Sequence, residues 1–325
     1  MFILEIILGI VLLSVGASWL TDGASAIAKR LKVSEFLIGV TIVAVGTSMP
    51  EFVVSLQSAI AGQAEVSIGN VVGSNIFNIY AILGLTTIIA PLPLTRSNVS
   101  RDIPICLGAT VLLIILALDA SLWDGEVNVL SRGDGVVLLL LYALFLMYII
   151  RSGRKEISLS TPTAASTSST TPEKSISMWL SVVMVAAGLG GLVWGSDLFL
   201  DGSIELATKV GLSEAVIGIV LVAAGTSLPE LFASIVPAIK GKSEIALGNI
   251  LGSNIANILL ILGTSATVTP LRLGGITTVD MSVMLSAVVM VMLSAFVIGR
   301  RRIIRLEGAI FLTIYVGYTL WLLRG

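Results

Sequence analysis

The chain has 325 residues, of which 56% are hydrophobic and 12% charged, with mean hydropathy +1.04 and net charge −1. Soluble domains carry about 25% charged residues, so a water-soluble globular class is excluded, and no basic domain is present to engage nucleic acid. There is no histidine, which excludes His-based zinc sites and imidazole proton relays.

Apolar runs of about 20 residues recur along the whole length, without the period-two alternation of barrel strands. The fold class is therefore all-α polytopic membrane protein, and ten transmembrane spans are expected. The first, 2–27, carries Glu5 and no basic leader region, so it reads as a span rather than a cleaved signal. Spans at 34–61, 65–90, 102–119 and 134–150 complete a first five-helix half, residues 1–150. The single cysteine, Cys106, lies in the fourth run and reads as a small packing residue without a disulfide partner. Residues 151–177 include SLSTPTAASTSSTTPEKS, a Ser/Thr/Pro-rich stretch expected to be a linker with no core of its own. The second half, 178–325, holds spans at 178–204, 212–239, 244–269, 280–298 and 305–323.

With this count, only Arg132, Lys209, Arg272 and Arg324 of the 19 lysines and arginines fall on one side of the membrane. The other side, which includes the linker, is therefore cytoplasmic, and both termini are outside. The two halves are also copies of one another. Residues 34–92 and 213–271 align without a gap at a constant offset of 179, with about half of the positions identical. Five spans is an odd number, so the second copy enters the membrane upside down. Such inverted repeats mark secondary transporters with a midplane site at the repeat interface.

Each copy places a glutamate, Glu51 or Glu230, after Gly-Thr-Ser-x-Pro in the middle of an apolar run. A carboxylate at that depth is costly and by default functional. Pro50 and Pro229 cannot donate to the carbonyls of Gly46 and Gly225, four residues back, so a broken helix with released carbonyls is expected. Released carbonyls, the hydroxyls of Thr47, Ser48, Thr226 and Ser227, and a carboxylate form an all-oxygen surface suited to hard cations such as calcium, sodium or magnesium. The next span of each half carries Gly-Ser-Asn-Ile-x-Asn. Ser74 and Asn78 share one helical face, as do Ser253 and Asn257.

Plainer readings account for several other features. Ser, Thr, Asn and Gly in spans often serve helix packing, but matched placement in both halves argues for a shared site. Asp22 and Asp201 lie near span ends and read as solvated caps. Glu35 and Glu214 follow Ser34 and Ser213 at helix starts, where capping and the helix dipole suffice. Lys240-Gly241-Lys242-Ser243 lacks the earlier P-loop glycine, because Val236 stands there. Asn98-Val-Ser100 fits a glycosylation pattern but falls in a cytoplasmic loop, and Asp134 reads as a turn. There is no HExxH or GxSxG, so no enzyme and no cofactor are expected.

The duplicated Gly-Thr-Ser-x-Pro-Glu and Gly-Ser-Asn-Ile-x-Asn motifs resemble the α-repeats of the cation/calcium antiporter superfamily, most closely the prokaryotic sodium/calcium exchangers. The resemblance covers essentially the whole chain. It implies a core of spans 2, 3, 7 and 8, across which spans 1 and 6 slide. It implies that Glu51 and Glu230 ligate calcium and its counter-ion. Asn78 and Asn257, together with the hydroxyls of Thr47, Ser48, Ser74, Thr226, Ser227 and Ser253, match its polar ligand positions. The backbone carbonyls of Ala44 and Ala223 match its carbonyl ligands. Some exchangers have an Asp at one of the two Asn positions; here both are amides, leaving two carboxylates rather than three.

Two ionised glutamates in a low-dielectric site repel each other and are poorly solvated, so the site favours neutralisation. One divalent cation achieves that, as do two or more monovalent cations or protons. Alternation between them gives exchange without ATP, in a cell membrane and with no obligatory protein partner. A sodium-driven calcium antiporter, the same scaffold coupled to protons or another cation, and a passive cation channel all remain open at this stage. Enclosed duplicated carboxylates argue against the channel.

Overall fold

The computed structural model describes residues 2–118, 127–159, 176–210, 225–296 and 301–323. Ala223, the Ser213–Glu214 helix start and most of the linker lie outside these residues. The helices in chain order are α1 (Phe2–Leu31), α2 (Glu35–Thr47), α3 (Met49–Ile60), α4 (Ala64–Ile89), α5 (Asn98–Ala117) and α6 (Arg132–Leu159). They continue as α7 (Met178–Lys209), α8 (Leu228–Ile239), α9 (Ser243–Val268), α10 (Thr278–Phe296) and α11 (Arg305–Leu322).

Among the described residues, seven helices are long and apolar enough to cross a membrane, and the bent pair α2–α3 makes an eighth. The chain is a multi-pass helical membrane protein. Helices α8 and α11 stand where the seventh and tenth spans were expected. The first part of the seventh span lies outside the described residues, and α11 carries Arg305 and Glu307 in its first turn.

Burial separates the centre of the bundle from its rim. In their most apolar stretches α9 is 94% and α4 72% buried, against 28% for α1 and α7. These two central helices carry the Gly-Ser-Asn motifs. Both widen into a π-helical segment there, Phe77–Leu83 in α4 and Asn257–Leu262 in α9. Such bulges accompany functional positions.

Helices α1 and α7 pack against each other, with glycines where they touch. A Cβ on Gly188 would lie 2.6 Å from the Leu20 nitrogen, and one on Gly16 would lie 2.8 Å from the Gly188 carbonyl oxygen. Only residues without a side chain permit that separation. Two short antiparallel strand pairs join the halves. β1 (Leu92–Pro93) pairs with β4 (Arg302–Ile303), and β2 (Val129–Leu130) pairs with β3 (Leu271–Arg272). Strands β1 and β3 are separated by the same offset of 179 as the repeats.

Local chemistry refines several expectations. Ser34 caps α2 by accepting from the Leu37 N–H at 3.2 Å. Glu35 does more than cap, because it accepts from the Ser25 hydroxyl and pairs with Lys242 at 2.9 Å. Asp22 pairs with Lys240 at 2.8 Å rather than standing as a solvated cap. Asp134 belongs to the first turn of α6 and not to a turn between elements. It accepts from the Ser131 N–H at 2.8 Å while its own N–H donates to the Ser131 hydroxyl at 3.2 Å, a reciprocal cap. Asn98 is buried and donates to Asp102 at 3.1 Å, so glycosylation there is also excluded sterically.

Candidate cation site

The expected break is present in the first half. Helix α2 ends at Thr47, α3 begins at Met49, and the two axes differ by 49°. Ser48 leaves the helical region at φ −81°, ψ 10°, and Ser227 does the same before α8 at φ −94°, ψ 9°. Pro50 and Pro229 fall in the first turn of α3 and α8, where a missing N–H is harmless. Glu51 and Glu230 thereby stand at helix N-termini, whose partial positive charge favours a carboxylate. The carbonyl released at Gly225 accepts from the Ser196 hydroxyl of α7 at 2.7 Å.

Both glutamates are almost wholly buried, 1% exposed for Glu51 and 2% for Glu230. Their hydrogen bonds cross between the halves. The Ser48 hydroxyl donates to Glu230 Oε1 at 2.8 Å, and the Ser227 hydroxyl donates to Glu51 Oε1 at 2.9 Å. Each break thus holds the carboxylate that belongs to the other. Ser74 Oγ lies 3.5 Å from Ser227 Oγ. The amides cross as well: Asn78 donates to Asn254 Oδ1 at 3.0 Å, and Asn257 donates to Asn75 Oδ1 at 3.1 Å.

These contacts leave several buried oxygens over. Nine buried side-chain oxygens among the described residues have no hydrogen-bond partner; four are Ser67 Oγ, Thr86 Oγ1, Ser265 Oγ and Glu307 Oε1, and the other five, Glu51 Oε2, Glu230 Oε2, Asn78 Oδ1, Asn257 Oδ1 and Ser253 Oγ, belong to expected ligands. Buried polar atoms are normally satisfied, and an orphan needs an explanation. Here five orphans, all oxygens, come from α3, α4, α8 and α9. Among the described residues there is no group of three or more His, Cys, Asp or Glu positioned to hold a metal ion. The five oxygens on expected ligands comprise two carboxylate and three neutral oxygens, a combination that would suit a hard cation.

The remaining expected ligands differ in their engagement. Thr47 Oγ1 faces Asn249 Oδ1 at 3.1 Å and the Ala44 carbonyl at 3.3 Å. The Ala44 carbonyl also accepts from the Ser48 N–H at 3.0 Å, and the Thr47 hydroxyl, with a single proton, can serve only one of its two near acceptors. Thr226 is half-buried beside Ser227, and Ala223 lies outside the described residues.

Sequence reasoning passed over a second tier. Asn70 donates to the Glu51 carbonyl at 3.2 Å and to Ser55 Oγ at 2.9 Å. Asn249 donates to the Glu230 carbonyl at 3.2 Å and to Ser234 Oγ at 3.0 Å. These side chains clasp the first turn of each glutamate-bearing helix. The signal was present: Gly-Asn precedes Gly-Ser-Asn in both copies, and Ser55 and Ser234 lie four residues after the glutamates.

A family model described as sodium/calcium exchanger protein matches residues 1–151 and 180–324. The chain belongs to the sodium/calcium exchanger family. It is 35% identical to the putative antiporter CaxA of Alkalimonas amylolytica, with 96% of each chain covered. It is 32% identical to the sodium/calcium exchanger MaX1 of Methanosarcina acetivorans, over 97% of this chain and 96% of that one. The solved sodium/calcium exchanger of Methanococcus jannaschii superposes with TM-score 0.80 at 32% identity, covering 97% of both chains. These relatives are transporters, as membership of this family implies.

Proposed function

We propose that this chain exchanges calcium for sodium by alternating access at a site built on Glu51 and Glu230. The observation that carries this reading is the set of five unpartnered buried oxygens contributed by four helices. Two carboxylates supply the charge that selects a divalent cation, and the amide and hydroxyl oxygens complete an uncharged shell. Sodium ions entering in its place supply equivalent charge to the same oxygens.

Ten spans in two inverted five-helix repeats with broken core helices carry the site. The constant offset, the two breaks before Glu51 and Glu230, and the crossed strand pairs support that arrangement. The basic loops support both termini outside a cell membrane and a cytoplasmic linker. Helices α1 and α7, in glycine contact, are the pair that moves across the core once the site is neutralised. The related exchanger of Methanococcus jannaschii has been described in terms of extracellular ion exchange and induced occlusion of its binding site, which supports the same cycle here.

The test is radiocalcium uptake into proteoliposomes under an imposed sodium gradient or an imposed pH gradient, with Glu51→Gln and Glu230→Gln alongside. Uptake driven by sodium, and lost in both variants, is the expected outcome. Glutamine keeps an oxygen for the Ser227 or Ser48 hydroxyl but turns an amide nitrogen toward the cation. Losing a buried charge partner costs about 2–5 kcal/mol, a factor of roughly 30 or more. Uptake driven only by protons would move the counter-ion and keep the site. Full uptake by either variant would refute the site.

A further inference from the structure

A carboxamide is ambiguous toward a cation: its oxygen ligates, whereas its NH2 group repels. An Asn ligand is therefore useful only if something turns it the right way round. We propose that Asn75 and Asn254 are positioning residues that fix the carbonyl oxygens of Asn257 and Asn78 toward the cation. This inference rests on the site reading given above.

The Asn78 NH2 group is taken by Asn254 Oδ1 at 3.0 Å and the Asn257 NH2 group by Asn75 Oδ1 at 3.1 Å, which leaves both ligand oxygens free. The orientation of the two positioning amides is set one step further out. Asn254 directs its own NH2 group at the Asn75 backbone carbonyl, 3.5 Å away, and Asn75 directs its NH2 group at Met284 Sδ, 4.0 Å away. A carbonyl oxygen and a thioether accept and never donate. Both chains of amides therefore run in one sense, from an acceptor-only terminus to a bare oxygen in the site. All four side chains are at most 2% exposed, so bulk solvent does not reach them to replace a missing partner.

The arrangement also crosses the repeats, because each half orients the ligand amide of the other. It links the residue types at 75 and 257. An aspartate at 257 would offer no N–H, and Asn75 would have to turn its NH2 group inward and abandon Met284. Asn75 is thus part of what makes Asn, rather than Asp, workable as a ligand at 257 in this chain.

The test uses the full chain in proteoliposomes with sodium-driven calcium uptake. Asn75→Leu removes the acceptor and should raise the calcium KM about tenfold, as outer-shell losses do at metal sites, with the rate at saturating calcium less affected. Asn75→Asp retains an acceptor and should recover most of that loss. Combined with Asn257→Asp it sets two carboxylates against each other with no donor between them. That double variant should lose far more than the two single effects together. Asn75→Asp with Asn78→Asp is the comparison pair; those side chains bond to Asn257 and Asn254 rather than to each other, and the pair should show a smaller excess. Equal losses for Leu and Asp at 75, or additive behaviour of the 75/257 pair, would overturn the proposal. If Asn75→Leu does not fold, the aspartate cycle decides alone. Glu51→Gln separates the two levels: its retaining uptake would remove the site itself, whereas its inactivity beside a wild-type-like Asn75→Leu would remove only the positioning role.

Discussion

Gly252 is one residue before Ser253, and it is where α9 meets α2. A methyl group there would lie 2.7 Å from Val40 Cα and 2.8 Å from both Ala44 Cβ and the Val40 carbonyl oxygen. Carbon atoms prefer about 3.5–4.0 Å, so each carbon contact is short by about 1 Å. None of the three atoms is the far end of a flexible side chain, and the helices themselves would have to part. Overpacking of that kind costs about 1–3 kcal/mol. The gain in helix propensity from Gly to Ala offsets at most about 1 kcal/mol. Gly252→Ala should therefore lower the unfolding temperature of the purified protein. It should also raise the calcium KM about tenfold or more, because the displaced residues adjoin the ligand shell. Gly190→Ala is the control: it lies on the exposed face of α7 and its methyl group would meet nothing within 4 Å. Thermal unfolding and calcium uptake of both variants decide the matter. A Gly252→Ala protein as stable and as active as the wild type, or an equally damaged Gly190→Ala, would refute the argument.

The crossed serines give a symmetric prediction. Ser48→Ala and Ser227→Ala each remove one donor from a buried carboxylate, about 1.5–3 kcal/mol, and titration calorimetry should show similar weakening of calcium binding in both. Asn70→Ala and Asn249→Ala should leave the ligands present but loosen the first turn of α3 or α8. Weaker calcium binding of about tenfold is expected, and hydrogen exchange should speed up at Glu51 or Glu230, respectively. Lys240→Ala removes a half-exposed pair with Asp22, so the stability change should stay below about 1 kcal/mol and shrink further at high salt.

Much of this was legible because a membrane makes sequence explicit. Apolar runs must be long, and a carboxylate inside one needs a reason, so Glu51 and Glu230 stood out. Proline after Thr-Ser located the breaks, since the ring removes an N–H whichever way the helix packs. Less legible were residues whose role depends on a distant partner. Nothing local in Lys240 or Asp22 announces a pair between positions 218 apart. Asp134 was misread because a reciprocal cap and a tight turn draw on the same polar residues. Asn75 and Asn254 lay in plain view within the motif. A carboxamide can ligate, donate or accept, however, and sequence does not say which way it faces.

The sequence by itself determined the all-helical membrane class, the duplication at an offset of 179, and the residue types able to meet a hard cation. Those follow from composition, spacing and the chemistry of single side chains. Only the tertiary structure decided which buried oxygens are left without a partner. Ser48 donates to Glu230, Ser227 donates to Glu51, and the Asn78 and Asn257 amides each donate to an asparagine of the opposite half. Such assignments depend on which side chains pack within about 3 Å of one another, and that distance exists only once the two halves have come together.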